Sequence, residues 1–97
     1  MDYKKDKDLV YLHRLCMNIR NGRFNWERYS NNGYYFGKEI TTMPVFCSYG
    51  MIGFSISFPY QSMPEVTYDW EMRELTIDDM DWKEYFSCED ERQLDGG

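Results

Sequence analysis

The segment that decides the fold is residues 52–58, which read Ile52-Gly53-Phe54-Ser55-Ile56-Ser57-Phe58. Large apolar side chains alternate with glycine and serine along its whole length. Because successive side chains of a β-strand point to opposite faces of a sheet, this alternation predicts a strand with one apolar face and one small, smooth face. We therefore expect a sheet that buries one face, with the remaining segments arranged around this strand.

Segments on both sides of this strand also favour β-structure. Residues 24–27 alternate apolar and polar side chains, and residues 34–40 are predicted to return as the next strand. Val45, Cys47 and Tyr49 then recur at every second position, and residues 65–72 alternate again. Asn and Gly between the first two of these segments accept the positive φ of a tight turn. The pattern predicts an antiparallel β-meander of about four to five strands over residues 23–73.

One helix is predicted before the strands and one after them in the chain, and one or both are expected to back the sheet. Apolar side chains of the first helix recur at steps of three and four residues, at Leu9, Leu12, Cys16 and Ile19. This period favours an N-terminal helix over residues 6–20. Thr76 and Asp79 form a capping pattern that predicts a short C-terminal helix over residues 77–88. The fold class expected from these elements is α+β.

Length and composition fit one folded domain over residues 1–97. Aromatic residues make up 19% of the chain, with nine Tyr, six Phe and three Trp, which argues against disorder. We expect only residues 89–97 to form a flexible acidic tail. No apolar run approaches the roughly 18–20 residues of a membrane helix.

The cysteines and the N-terminus favour a reducing compartment. Cys16, Cys47 and Cys88 are an odd number and widely spaced, and the charged N-terminus is unlike a secretion signal. We therefore expect a cytoplasmic protein, found in the cytoplasm of the host cell if a phage encodes it.

Charge is distributed unevenly along the chain. Residues 1–38 carry eight Lys or Arg and four Asp or Glu, whereas residues 39–97 carry three and thirteen, and the net charge is -6. An acidic surface repels the phosphates of nucleic acid and attracts basic clefts. We expect a protein partner with a basic nucleic-acid-binding surface, no direct binding of nucleic acid or membrane, and a monomer or small homo-oligomer.

The sequence favours neither catalysis nor a metal or cofactor. It has a single histidine, His13, and none of the motifs of nucleophile elbows, phosphate loops or dinucleotide sites. His13 and Cys16 are spaced as zinc ligands on successive helical turns, and with Cys47 and Cys88 they would make a set of four. Small buried thiols explain the cysteines more simply, and a small metal-dependent enzyme is kept as an alternative.

Carboxylates and tyrosines are the candidate binding residues. The carboxylates expected on an exposed strand face and on the second helix are Asp69, Glu71, Asp78, Asp79, Asp81 and Glu84. Alternate side chains on a strand stand about 6.6–7 Å apart, and a rigid row of carboxylates at that spacing can imitate a phosphate backbone. Tyrosine offers a large contact area at low rotamer cost, so Tyr34, Tyr35 and Tyr60 are candidate anchors.

These features predict a small acidic inhibitor that docks on a nucleic-acid-handling protein such as a nuclease, as a mimic of DNA. In size and composition the chain is similar to the acidic inhibitors that phages use against host nucleases, including anti-CRISPR proteins. An immunity protein that neutralises a basic toxin would present the same kind of surface. The alternative from a different class is a structural or assembly protein that oligomerises through a strand edge.

Overall fold

The computed structural model describes residues 3–87, with side chains from residue 7 onward. Within this range the elements, in chain order, are α1 (Tyr3–Arg20), a 3₁₀ helix (Trp26–Tyr29), β1 (Gly33–Tyr35), β2 (Lys38–Cys47), β3 (Gly50–Ser57), β4 (Val66–Asp69), β5 (Glu74–Ile77), β6 (Met80–Asp81) and a short helix, α2, over residues 82–87. Each strand pairs antiparallel with the next, in the order β1 to β6. The predicted α+β fold is confirmed, with six strands in the described sheet rather than four to five. The predicted acidic tail, residues 89–97, lies outside the described residues.

The strand predicted at residues 52–58 is the centre of the sheet. Phe54, Ile56 and Phe58 are buried on one side of it. β3 pairs with β2 on one edge and with β4 on the other, where Gly53 lies opposite Asp69. A Cβ atom at Gly53 would overlap the backbone oxygen of Tyr68, so glycine is required for the two strands to approach at this point.

The apolar face of the sheet packs against α1. The buried residues that α1 contributes are Tyr11, Leu12, Leu15, Cys16 and Ile19, and those of the strands are Tyr35, Ile40, Phe54, Ile56, Val66, Leu75 and Ile77. α2 packs beside α1, with the ring of Phe86 centred 5.4 Å from that of His13. The opposite face carries small, half-exposed polar side chains such as Ser55, Thr67 and Thr76. No helix in the described part of the chain is both long and apolar enough to cross a membrane.

The segment around Phe24 and Trp26 is not a strand. It ends in the 3₁₀ helix, where the side-chain oxygen of Asn25 accepts a hydrogen bond from the backbone N–H of Glu27 at 3.2 Å. The rings of Phe24 and Trp26 lie 5.6 and 6.3 Å from that of Phe54, between ring centroids. Both rings pack on the same side of the chain, as alternate side chains of a strand do, although the segment pairs with no strand. This explains why the sequence of residues 24–27 favoured β-structure.

Two predicted strands are interrupted by turns. The segment over residues 34–40 contains the β1–β2 turn, in which Phe36 and Gly37 have φ of 47° and 84°. The segment over residues 65–72 ends at Asp69, because Oδ1 of Asp69 accepts hydrogen bonds from the backbone N–H groups of Glu71 and Met72. Such side-chain bonds offer the backbone an alternative to the sheet ladder.

The C-terminal helix begins later than the predicted residue 77. Ile77 is fully buried as the last residue of β5, and Asp78 and Asp79 form a two-residue hairpin turn with φ of 53° and 66°. Positive φ at both positions is the geometry of a type I′ turn, which aspartate tolerates. The cap of α2 is Asp81, whose Oδ2 accepts from the Lys83 N–H at 3.1 Å, so Thr76 is a strand residue and not a cap.

A buried pair of tyrosines joins α1 to β1. The hydroxyl of Tyr11 donates to the backbone oxygen of Tyr35 at 2.7 Å, and Asn18 Nδ2 donates to the hydroxyl of Tyr35. Burial, reinforced by neighbouring tyrosines, raises the pKa of Tyr11, and burial also raises the pKa of Tyr35. Burial raises the pKa of the nearby Cys16 thiol to about 12. These groups therefore stay neutral in the folded protein at alkaline pH.

We predict that Tyr11→Phe lowers the free energy of unfolding by about 1 kcal/mol near pH 8, through the lost hydrogen bond. The deficit should disappear by about pH 11. An unfolded tyrosine ionises near its ordinary pKa of 10.0, whereas the folded Tyr11 stays neutral. The free energy of unfolding of the wild type therefore falls by up to about 1.4 kcal/mol as the pH rises one unit above this pKa. Tyr11→Phe lacks this loss.

Urea unfolding of both proteins at the two pH values measures the difference. Tyr49→Phe, at an exposed position, is the matched control and should change neither value. A deficit that stays constant between the two pH values would contradict the burial of the Tyr11 hydroxyl.

Candidate functional site

Two turns lie side by side at one end of the sheet. Val45 lies opposite Gly53, and Gly53 opposite Asp69, so the C-terminal ends of β2 and β4 meet at this end. The backbone N–H of Trp70 donates to the carbonyl oxygen of Ile52 at 2.9 Å, which joins the β4–β5 turn to the β2–β3 hairpin. We call this surface the acidic–aromatic end, and its side chains are Phe46, Tyr49, Asp69, Trp70, Glu71, Met72, Arg73 and Glu74.

The apolar side chains of the acidic–aromatic end are exposed to water. The exposed fractions are 65% for Phe46, 94% for Tyr49 and 66% for Met72. Trp70 is partly exposed, and its ring is centred 6.4 Å from that of Phe54, which ties the surface to the core. Four of the eleven large apolar side chains that are exposed among the described residues lie at this end, and such a cluster is typical of a surface that contacts another protein.

The carboxylates of this end repel one another. Asp69 and Glu74 lie directly opposite each other on β4 and β5, and Glu71 lies in the turn between them. Like charges at directly opposite positions destabilise an antiparallel pair. The exposed Arg73 lies in the same turn, but no ion pair joins it or any other side chain of residues 7–87 to these carboxylates. A positive charge supplied from outside would relieve this repulsion.

The structure brings together two of the predicted carboxylates and separates two others from them. Asp69 and Glu71 belong to the acidic–aromatic end. Asp78 and Asp79 lie in the β5–β6 turn, at the other end of β5. A four-residue strand separates its ends by about 10 Å. A continuous row of carboxylates along one strand face does not form, because the predicted strand over residues 65–72 ends at Asp69.

The remaining predicted binding residues are scattered over the fold. Asp81 caps α2, and Glu84 is exposed on α2 behind the sheet. Tyr34 is exposed on β1, and Tyr60 is 98% exposed in the loop after β3. Tyr35 is only 8% exposed and belongs to the core, so it is not available as a surface anchor.

Sequence reasoning did not select Phe46, Trp70 or Met72. Continuing β4 to residue 72 placed Trp70 and Met72 on the buried side of a strand that in fact turns. The signal that could have found the turn is Asp69 itself, because an aspartate favours a turn by accepting the N–H groups two and three residues later. No local signal in the sequence marks Phe46 as exposed.

The candidate zinc ligands do not meet within the described residues. Cys16 is buried in α1, Cys47 is exposed at the end of β2, and Cys88 lies outside the described range. Among the described residues no group of three or more His, Cys, Asp or Glu side chains is placed to hold a metal ion.

Comparison of the chain with protein-family models, with curated proteins and with solved structures gave no match. The proposed function therefore rests on the geometry and charge of the site itself.

We predict that Glu74→Lys raises the free energy of unfolding by about 0.5 kcal/mol, because it replaces a repulsive cross-strand pair with an attractive one. The same substitution in an Asp69→Asn background should give little gain, since asparagine keeps the turn's acceptor oxygen but removes the charge. Urea unfolding of the four proteins at low salt measures the coupling. An equal effect of Glu74→Lys in both backgrounds would show that the two carboxylates do not interact.

Proposed function

We propose that this protein is a small acidic inhibitor that binds another protein, and that it docks through the acidic–aromatic end on the basic surface of a nucleic-acid-handling protein such as a nuclease. One observation carries the proposal. Exposed Phe46, Tyr49 and Met72 lie at the same end of the sheet as the mutually repelling Asp69 and Glu74. Apolar anchors beside unneutralised carboxylates fit a partner surface that is both apolar and basic.

The two kinds of side chain have different roles in this proposal. The carboxylates and the net charge of -6 attract the basic surface over a distance and increase the rate of encounter. The large side chains at this end lose water in the complex and supply most of the affinity, as buried anchors do in other interfaces. They are Phe46, Tyr49 and Met72. The hydrogen bonds from Glu71 and Met72 to Asp69 keep the turn ordered, which lowers the entropy lost on binding.

Inhibition would follow from competition with nucleic acid. Asp69, Glu71 and Glu74 would take the places of phosphates on the partner's basic surface, so that the inhibitor and the nucleic acid exclude each other. Mimicry of a phosphate backbone is proposed here for these three carboxylates, and Asp78 and Asp79 at the other end of β5 are left outside the contact. The phage anti-defence role and the neutralisation of a basic toxin both use this contact, and neighbouring genes distinguish them.

Assembly through a strand edge is the second candidate function, and β2 is the observation that favours it. β1 pairs only with residues 38–40, so that residues 41–47 of β2 have no partner strand on that side within the described chain. Pro44 lies in the middle of this edge and lacks an N–H donor, so strand pairing with a second copy would be limited to the residues on either side of it. Light scattering tests this candidate, which requires a salt-resistant oligomer.

We predict that charge reversal at the acidic–aromatic end abolishes partner capture. The test compares the wild type with Glu71→Lys/Glu74→Lys and with the matched control Glu65→Lys/Glu84→Lys. Both variants change the net charge equally at exposed positions, but only the first changes this end. Each immobilised protein is exposed to a lysate, washed with and without competing DNA, and its ligands are identified by mass spectrometry.

The wild type and the control should retain the same basic nucleic-acid-binding protein, and the first variant should retain about tenfold less or none. Competing DNA should release it. Equal retention by all three proteins, or equal loss from both variants, would contradict docking through this end.

A further inference from the structure

A cavity of about 400 Å³ lies at the other end of the sheet from the acidic–aromatic end. It opens between α1 and the loop that follows β3, and its polar walls come from Lys7, Asp8 and Lys38 on one side and from Gln61 and Ser62 on the other. Sites for small molecules have volumes of about 300–1,000 Å³ and a few converging polar groups. The cavity therefore has the size of a small-ligand site.

The charge of the cavity favours an anion. Lys7 and Lys38 carry two positive charges, and Asp8 carries one negative charge. Nζ of Lys38 lies 3.3 Å from Oδ1 of Asp8 and 5.6 Å from the centre of the Tyr11 ring. These contacts hold the ammonium group of Lys38 in position, while Lys7 is exposed and free to approach a ligand. Although the whole chain is acidic, the charged side chains that line this cavity leave a net positive charge.

The loop on the other side of the cavity is fixed at its base. Nε2 of Gln61 donates to the backbone oxygen of Glu39 at 2.8 Å, and the backbone N–H of Gln61 donates to the backbone oxygen of Phe58 at 3.3 Å. The neighbouring Tyr60 has a φ of 61° and a side chain that is 98% exposed. The Gln61–Phe58 hydrogen bond closes a four-residue turn, and a positive φ at its third residue, Tyr60, is the geometry of a type II turn that sets the path of the loop.

We propose that this cavity binds a small organic anion. Lys7 and Lys38 hold the carboxylate or phosphate head group, the hydroxyl of Ser62 donates a further hydrogen bond, and Tyr60 and Met63 contact the apolar body of the ligand. Tyr60 closes over the ligand from the rim, which accounts for an aromatic side chain that makes almost no contact in the free protein. The site is separate from the proposed protein-binding end and does not depend on it.

Titration of the isotopically labelled full chain tests the site by the amide chemical shifts of Gln61, Ser62 and Met63. The probes are phenyl phosphate, benzoate and the uncharged benzyl alcohol, which share one ring and differ in the head group. We expect saturable shifts with at least one anion below about 10 mM and none with benzyl alcohol. Stronger binding of phenyl phosphate assigns a phosphate head group, and stronger binding of benzoate assigns a carboxylate.

Lysine variants test which cations hold the head group. Lys38→Gln and Lys7→Gln should each weaken binding about tenfold. Lys7 is exposed, so Lys7→Gln should keep the fold and test the site even if Lys38→Gln does not fold. Lys83→Gln is the matched control, because its ammonium group also lies near an aromatic ring, 6.0 Å from that of Trp82, but on α2. An equal response to benzyl alcohol, the absence of saturable shifts, or equal weakening by Lys83→Gln would overturn the proposal.

Discussion

The buried ring of Phe54, on the apolar face of the sheet, packs against the segment that follows α1, and its contacts connect the core to the acidic–aromatic end. Its centroid lies 5.6 Å from that of Phe24, 5.8 Å from Tyr68 and 6.4 Å from Trp70. Aromatic rings at such distances contribute about 0.5–1.5 kcal/mol per pair beyond the burial of their area. Packing against Phe54 therefore fixes the start of the β4–β5 turn, and with it the position of the acidic–aromatic end.

A sheet that buries one face under a single long helix leaves its turns as the places where function can develop. The central strands are constrained by close approach, as at Gly53, and by the alternation of apolar and small residues. The turns carry no such constraint, and rigid strands hold them in place. At one end they carry exposed aromatic side chains and repelling carboxylates, and at the other they line a cavity with two lysines. The directly opposed carboxylates of Asp69 and Glu74 reduce stability locally.

The sequence correctly predicts the helices and strands whose hydrophobic period is long and regular. The prediction is wrong where a residue fits the pattern of a strand and that of a helix equally well. α1 and β3 follow from their patterns, because a helical or strand period over seven or more residues is hard to produce otherwise. Ile77 fits both a strand and a helix, and burial in the sheet decides for the strand. For the site, the sequence predicts Asp69 and Glu71 on one strand face, whereas Asp69 ends β4 and Glu71 lies in the turn that follows. It cannot tell which of the neighbours Tyr34 and Tyr35 faces the core, since that depends on the strand register.

Hydrogen exchange of the complex with the captured partner tests the central claim, that the acidic–aromatic end is the binding surface, most directly. Backbone amides in residues 46–51 and 70–74 should exchange more slowly in the complex than in the free protein, because the partner covers both turns. Exchange in residues 59–65 and 78–79, at the opposite end of the sheet, should be unchanged. Slower exchange at that opposite end or along α1, with both turns exchanging as in the free protein, would contradict the account.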